Sequence, residues 1–228
     1  MISRRLLRRL LHHHLPIGLL SLAATGLLYA TRDYSDVITR LSFSSAYPAL
    51  FLIGLSLMIG PWKLLKTRRA AAVSMDFRRD LGIWAGLLGV FHAVVGNFEH
   101  LRGRPWLYYI YENWRNKHFQ PFRHDIFGLG NFTGLVAALV LLALLATSND
   151  ASLRKLGTPG WKQLQRWNYA AFVLMAVHTF TYQWGIKQPN LPWGMLAFAA
   201  IATTAVLQYT GYERRRTVQS MPAYPSRK

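Results

Sequence analysis

Two histidines stand deep inside apolar stretches of the chain, His92 in LGIWAGLLGVFHAVVGNF and His178 in WNYAAFVLMAVHTFTYQW. An ionisable side chain at such depth in hydrocarbon is costly and needs a partner. Each lies twelve residues beyond a charged collar, Asp80 for His92 and Arg166 for His178. At about 1.5 Å per helical residue, both imidazoles sit roughly 18 Å along their helices and so share one depth. Neutral imidazoles that face each other across a bundle are the donor set of six-coordinate iron in a b-type haem. Gly89 and Gly96, three residues before and four after His92, share its helical face and would clear space for a flat macrocycle. Close helix–helix approach explains the wider set Gly82, Gly86, Gly89, Ala93 and Gly96 equally well. On the residues alone two readings stay open: haem ligation, or a structural pair bonded to backbone carbonyls.

The elements that must position these side chains are apolar runs of bilayer length. Six occur, roughly Leu11–Ala30, Phe43–Trp62, Leu81–Phe98, Ile126–Thr147, Trp167–Ile186 and Leu191–Tyr209, each close to the ~20 residues a spanning helix needs. The expected fold is therefore all-α, a polytopic membrane protein with six helices in a bundle and the histidines on the third and fifth. The chain of 228 residues has 27 Lys plus Arg against 9 Asp plus Glu, a net charge of +18. In a soluble protein that balance would suggest nucleic acid, but here the placement of the charges argues against such a partner. The positives concentrate in Arg4–Arg9, Lys63–Arg79, Arg154–Arg166 and Arg214–Lys228, on one side of a six-span topology, with a minority on the other. The positive-inside rule then puts both termini in the cytoplasm of an inner-membrane protein. Residues 1–10 form a basic N-terminus whose collar favours anionic lipid, 11–210 the six-helix domain with a long outer loop over 97–125, and 211–228 a basic tail. No small-residue cleavage site follows the N-terminal basic stretch, which reads as a retained first helix.

The chain contains no cysteine, which removes disulfides, iron–sulfur clusters, thiolate metal sites and haem attached through Cys-x-x-Cys-His. It shows no Gly-rich phosphate loop, no Ser/His/Asp constellation and no zinc signature, so hydrolase and transferase chemistry is unsupported. Pro48 and Pro61 fall near the ends of the second run, PWLYYIYENW reads as an interfacial helix with aromatic anchors, and the segment 145–167 reads as an ordered loop with a Thr-Pro-Gly turn.

The segments RRDLGIWAGLLGVFH (78–92) and TSNDASLRKLGTPGWKQLQRWNYAAFVLMAVH (147–178) resemble the two signature segments of the ferric reductase-like transmembrane domain family. Within it they are most similar to the haem-binding membrane subunits of the MsrQ/YedZ type. The similarity covers roughly Tyr47 to Lys187 and is most specific in Arg-Lys-Leu-Gly, then Trp, then His at the end of the fifth run. It implies a six-helix electron carrier with b-type haem between the third and fifth helices, and makes His92 and His178 the axial ligands of an outer haem. It also implies a periplasmic acceptor and a redox partner protein or larger membrane complex.

The chain departs from the family at the inner side. Where relatives place a second histidine, thirteen residues before the position of His178, this chain has Gln165, and the matching positions of the third helix are Arg78 and Arg79. Gln is a poor iron ligand beside imidazole, so one haem is expected rather than two. Arg78, Arg79 and Gln165 could instead hold propionates or the ring of FMN or a quinone. Electrons would then arrive from a quinol, a flavin or a partner.

Other groups carry weaker expectations. His12, His13 and His14 read as interfacial, with a metal site as the lesser alternative. His100, His118 and His124 share the outer loop and could assemble a metal or substrate site, though loop histidines more often cap and anchor. Arg102, Arg104 and Lys187 lie where propionates would emerge. The chain is at most the electron-transfer subunit of an oxidoreductase. The competing reading is a structural subunit of a larger complex, with or without haem. Nothing points to a transporter.

Overall fold

A computed structural model describes residues 4–32, 34, 36–66, 75–113, 115, 120–186 and 191–220. The described residues are overwhelmingly helical. α1 (Arg4–Arg9), a π-helical turn (Leu10–His14) and α2 (Leu15–Thr31) form one rod. α3 (Val37–Leu65), α4 (Met75–Gly96), α5 (Ile126–Thr147), α6 (Asp150–Gln165), α7 (Trp167–Phe180) and α8 (Leu191–Ser220) follow, with a second π-helical segment, Thr181–Ile186, continuing α7. Four helical stretches are long and apolar enough to cross a membrane: Leu6–Thr31, Val37–Leu65, Ile126–Thr147 and Leu191–Thr217. The expectation of six spans is thus met for four by length and composition. α4 carries the Arg78–Asp80 collar within its first two turns, and α7 has only 14 residues before its π-helical extension.

α3 is the central element. Of its most apolar stretch 61% is buried, against 17% for the N-terminal rod and for α8. It packs on α4, α8 and α2, while α5 bridges α4 and α7. The core joins Ile53 and Leu57 of α3, Leu81, Ala85 and Leu88 of α4, Leu141 of α5, Ala171 and Phe172 of α7 and Ala197 of α8. The alanines Ala85, Ala171 and Ala197 let the backbones approach, and the leucines fill the space between them. Buried hydroxyls of α3 return to their own helix: Ser45 donates to the Leu41 carbonyl at 2.7 Å and Ser56 to that of Ile53 at 2.8 Å.

α3 begins six residues before its apolar run because the Asp36 carboxylate caps it, accepting from the Thr39 N–H at 2.8 Å. Pro48 therefore lies well inside the helix, with Pro61 in its penultimate turn. The PWLYYIYENW segment is not one interfacial helix. After a 3-10 turn at Leu101–Gly103, it forms a second at Pro105–Tyr108 and then pairs Ile110 with Phe122 in an isolated antiparallel bridge. Positive φ at Leu101 (60°) and Gly103 (70°) makes the reversal. The segment after α5, read as a loop, is helix α6. It is amphipathic and bent at Gly157, whose φ of 66° admits glycine readily. Trp161 fixes it by donating to the Thr147 carbonyl at 3.0 Å.

Candidate haem site

His92 and His178 come together as their spacing requires. Their ring centroids lie 6.0 Å apart, with ring planes inclined at 75°. α4 and α7 do not hold the rings in place by themselves. His92 Nδ1 lies 2.9 Å from the carbonyl oxygen of Ser42 on α3, and His178 Nδ1 lies 2.7 Å from that of Gly130 on α5. A carbonyl only accepts, so each Nδ1 carries the proton, and Nε2 is the nitrogen through which either ring could bind a metal. A metal–imidazole bond of about 2 Å on each side, plus the two ring radii of about 1 Å, spans roughly 6 Å between centroids. The observed separation fits one iron held between the rings, and a carbonyl that accepts from the far nitrogen of each ring is the usual companion of such ligation.

A cavity of about 380 Å³ surrounds the pair, within the size range of cofactor sites. Leu50, Ala137, Leu141 and Met175 give it apolar walls, while Tyr34, Thr39, Asn97, Glu99 and His100 line its mouth. Tyr182 stands 4.8 Å from the His178 ring and donates to Asn131 Oδ1 at 2.7 Å. Gln183 donates to Tyr47 at 3.0 Å.

Gly89 and Gly96 both line the cavity. Their reasons differ from simple clearance. A Cβ at Gly89 would stand 2.8 Å from Leu141 Cδ1, so this glycine admits α5, and one at Gly96 would meet Ser42 Oγ at an ordinary 3.5 Å. The tighter glycines lie on α5 and escaped the sequence reading. A Cβ at Gly134 would fall 2.6 Å from His178 Nδ1, and Gly130 supplies the carbonyl. Their spacing, Gly130-x-x-x-Gly134, was the available signal. Ser42 acts through its backbone, which no side-chain pattern reveals.

Arg78, Arg79 and Gln165 do not line this cavity. At the opposite end of α4, Arg79 donates to Asp150 Oδ1 at 2.8 Å, and its Nε is buried without a hydrogen-bond partner among the described residues. Gln165 makes a long 3.5 Å contact to Ser148 Oγ. Both thus sit at the corner between α5 and α6. The same end holds a cluster that sequence reasoning missed. Asp80, fully buried, accepts from Arg9, lies 2.8 Å from His13 Nδ1 and 3.2 Å from His14 Nε2. The π-helical turn brings these basic groups of the N-terminal rod to α4, where His13 and His14 are partners of a buried carboxylate.

His100 lines the cavity mouth, its N–H donating to the Tyr108 hydroxyl at 2.6 Å and its Nε2 standing 3.4 Å from Glu99. Burial pushes the Tyr108 phenol up to about 12, which keeps that hydroxyl protonated. His124 turns instead to Phe122 and Tyr111. Arg104 pairs with Glu112 and Arg123 with Asp125. His118, Lys187 and the Arg102 side chain lie outside the described residues. Among those described, no group of three or more His, Asp or Glu side chains is placed to hold a metal.

Residues 39–176, more than half of the chain, match the family model for the ferric reductase like transmembrane component. The chain belongs to this family. The match includes His92 and ends just short of His178. A relative in Deinococcus radiodurans, the protein-methionine-sulfoxide reductase heme-binding subunit MsrQ, is 35% identical over 105 residues, 46% of each chain. The MsrQ subunits of Yersinia pseudotuberculosis (strain IP 31758) and Yersinia pestis (strain Pestoides F) are each 34% identical over 76 residues, 33% of this chain and 35% and 34% of theirs. The chain spans about half or less of the length of these curated relatives. With its apolar helices, this ferric reductase-like chain is a multi-pass membrane protein.

Proposed function

We propose that this chain is a membrane cytochrome that passes electrons through one b-type haem, with His92 and His178 as axial ligands, to an acceptor on the outer face. The observation that carries the reading is the imidazole pair itself, 6.0 Å apart, each ring with its Nδ1–H on a backbone carbonyl. The haem, when bound, supplies one-electron chemistry. His92 and His178 would fix the iron, Leu141 and Met175 exclude water, and the polar mouth face the acceptor. The relatives' naming as haem-binding subunits supports the assignment.

In this reading α4 and α7 also cross the membrane, giving six spans over 11–210. The basic segments 1–10 and 211–228 lie in the cytoplasm, in contact with anionic headgroups. Electrons enter from a quinol, a flavin or a partner protein of the same complex. Gln165, Arg78 and Arg79 mark the entry end. One observation favours a second reading, a structural subunit: Arg79 and Gln165 are occupied by Asp150 and Ser148.

A reduced-minus-oxidised optical spectrum of the purified protein, with haem quantified per chain, tests the proposal. We expect one low-spin b haem, lost in His92→Ala and in His178→Ala. A well-folded wild-type protein without haem would leave the structural reading.

A further inference from the structure

An imidazole bound through Nε2 turns easily about its metal–nitrogen bond unless something holds its other nitrogen. Here both rings are held, and by different helices: His92 by Ser42 of α3, His178 by Gly130 of α5. Their planes are therefore set independently, and they stand 75° apart. His178 also packs closely against α5 and against Tyr182. Gly134 lies behind it, where a Cβ would come within 2.6 Å of Nδ1 and 2.9 Å of Cε1, and the Tyr182 ring is 4.8 Å away.

We propose that Gly134 and the carbonyls of Gly130 and Ser42 are positioning groups that hold the axial imidazoles crossed, and thereby set the electronic state of the iron. The inference rests on the haem reading above. In low-spin ferric haem, parallel imidazole planes separate the energies of the two iron d orbitals that overlap the π systems of the axial rings, and give a rhombic three-line electron paramagnetic resonance spectrum. Crossed planes act on both orbitals almost equally and leave one strongly shifted low-field line. Ligand orientation is thus a lever on the haem alongside ligand identity and hydrogen bonding.

The test is electron paramagnetic resonance of the oxidised full chain, with haem loading read optically on the same sample. The wild type should show the single low-field line. Gly134→Ala should keep its haem but move the line to higher field, towards a rhombic spectrum, as the added methyl drives His178 off the Gly130 carbonyl. Gly86→Ala, whose Cβ would meet Leu145 at an ordinary 3.5 Å outside the cavity, should match the wild type. A rhombic wild-type spectrum at full haem loading would overturn the inference, as would an unmoved line in Gly134→Ala. If that variant does not fold, the wild-type spectrum decides alone. Absence of haem appears in the optical measurement and overturns the parent reading first.

Discussion

At the residue scale the glycines of this bundle are not equivalent, and what each would meet predicts its tolerance. A Cβ at Gly89 reaches only the tip of Leu141, a side chain that can shift, whereas one at Gly128 strikes the Arg123 carbonyl oxygen at 2.6 Å. Gly89→Ala should therefore be close to neutral, because the gain in helix propensity of about 1 kcal/mol offsets the crowding. Gly128→Ala should cost about 1–3 kcal/mol, since backbone must move. Thermal unfolding of the two variants in one detergent checks the order, and equal losses would contradict it. The sequence made His92 and His178 visible because an imidazole in an apolar run is rare and their collars match in spacing. It hid Ser42, Gly130 and Gly134, which act through a carbonyl or through a missing side chain.

At the element scale the N-terminal rod is largely exposed and is pinned to α4 by Asp80 with Arg9, His13 and His14. Four contacts saturate the buried carboxylate. Removing it strands a buried guanidinium, and breaking a buried pair from one side costs about 3–5 kcal/mol. Asp80→Leu alone should be destabilising by that order, and the double variant Arg9→Met, Asp80→Leu should recover much of it. A double-mutant cycle on unfolding reads the coupling, and additive losses would refute the pin. At the other end of the bundle Asp125 caps α5, accepting from the Gly128 N–H at 2.7 Å. Burial raises its pKa, but Arg123 and that N–H outweigh it and hold the carboxyl below its ordinary value. The cap's contribution is therefore present above the unfolded-state pKa near ~3.9 and fades as pH falls through the lower folded value. Asp125→Asn should flatten the acid limb of stability, measured as unfolding midpoint between roughly pH 5 and 2. The helical runs were legible from hydropathy, and α5 has the bounds its apolar run suggested. α6 was not, because Thr158-Pro159-Gly160 looks like a turn, yet a single bend at Gly157 lets the helix continue. Neither π-helical segment was legible, since one extra residue in a turn leaves the apolar pattern intact.

For the whole molecule, many outward side chains are large and apolar, with Leu20 at 72% exposure and Leu27, Val173, Phe180, Met195 and Val206 also exposed, a surface suited to lipid or to an apolar partner within the bilayer. Charge placement is the basis of the proposed orientation. A reporter fused at Lys66 should report the cytoplasm, and an outside location would reverse the proposed electron path. The bundle is asymmetric along its length: one end gathers two imidazoles around a cavity, and the other gathers Arg79, Asp150, Ser148 and Gln165 in mutual contacts. A second haem needs two imidazoles facing across a gap, not one more histidine. Introducing the imidazole expected from the resemblance, with Gln165→His, should therefore leave the haem-to-chain ratio at that of the wild type, because the positions on α4 that would supply its partner are Arg78 and Arg79, and Arg79 is already bound to Asp150. Haem quantified against protein in the purified variant decides the matter. A doubled ratio would mean that this end of α4 holds a cofactor pocket closed only by the glutamine, and that one residue rather than the packing of the whole end limits the proposed cytochrome to a single haem.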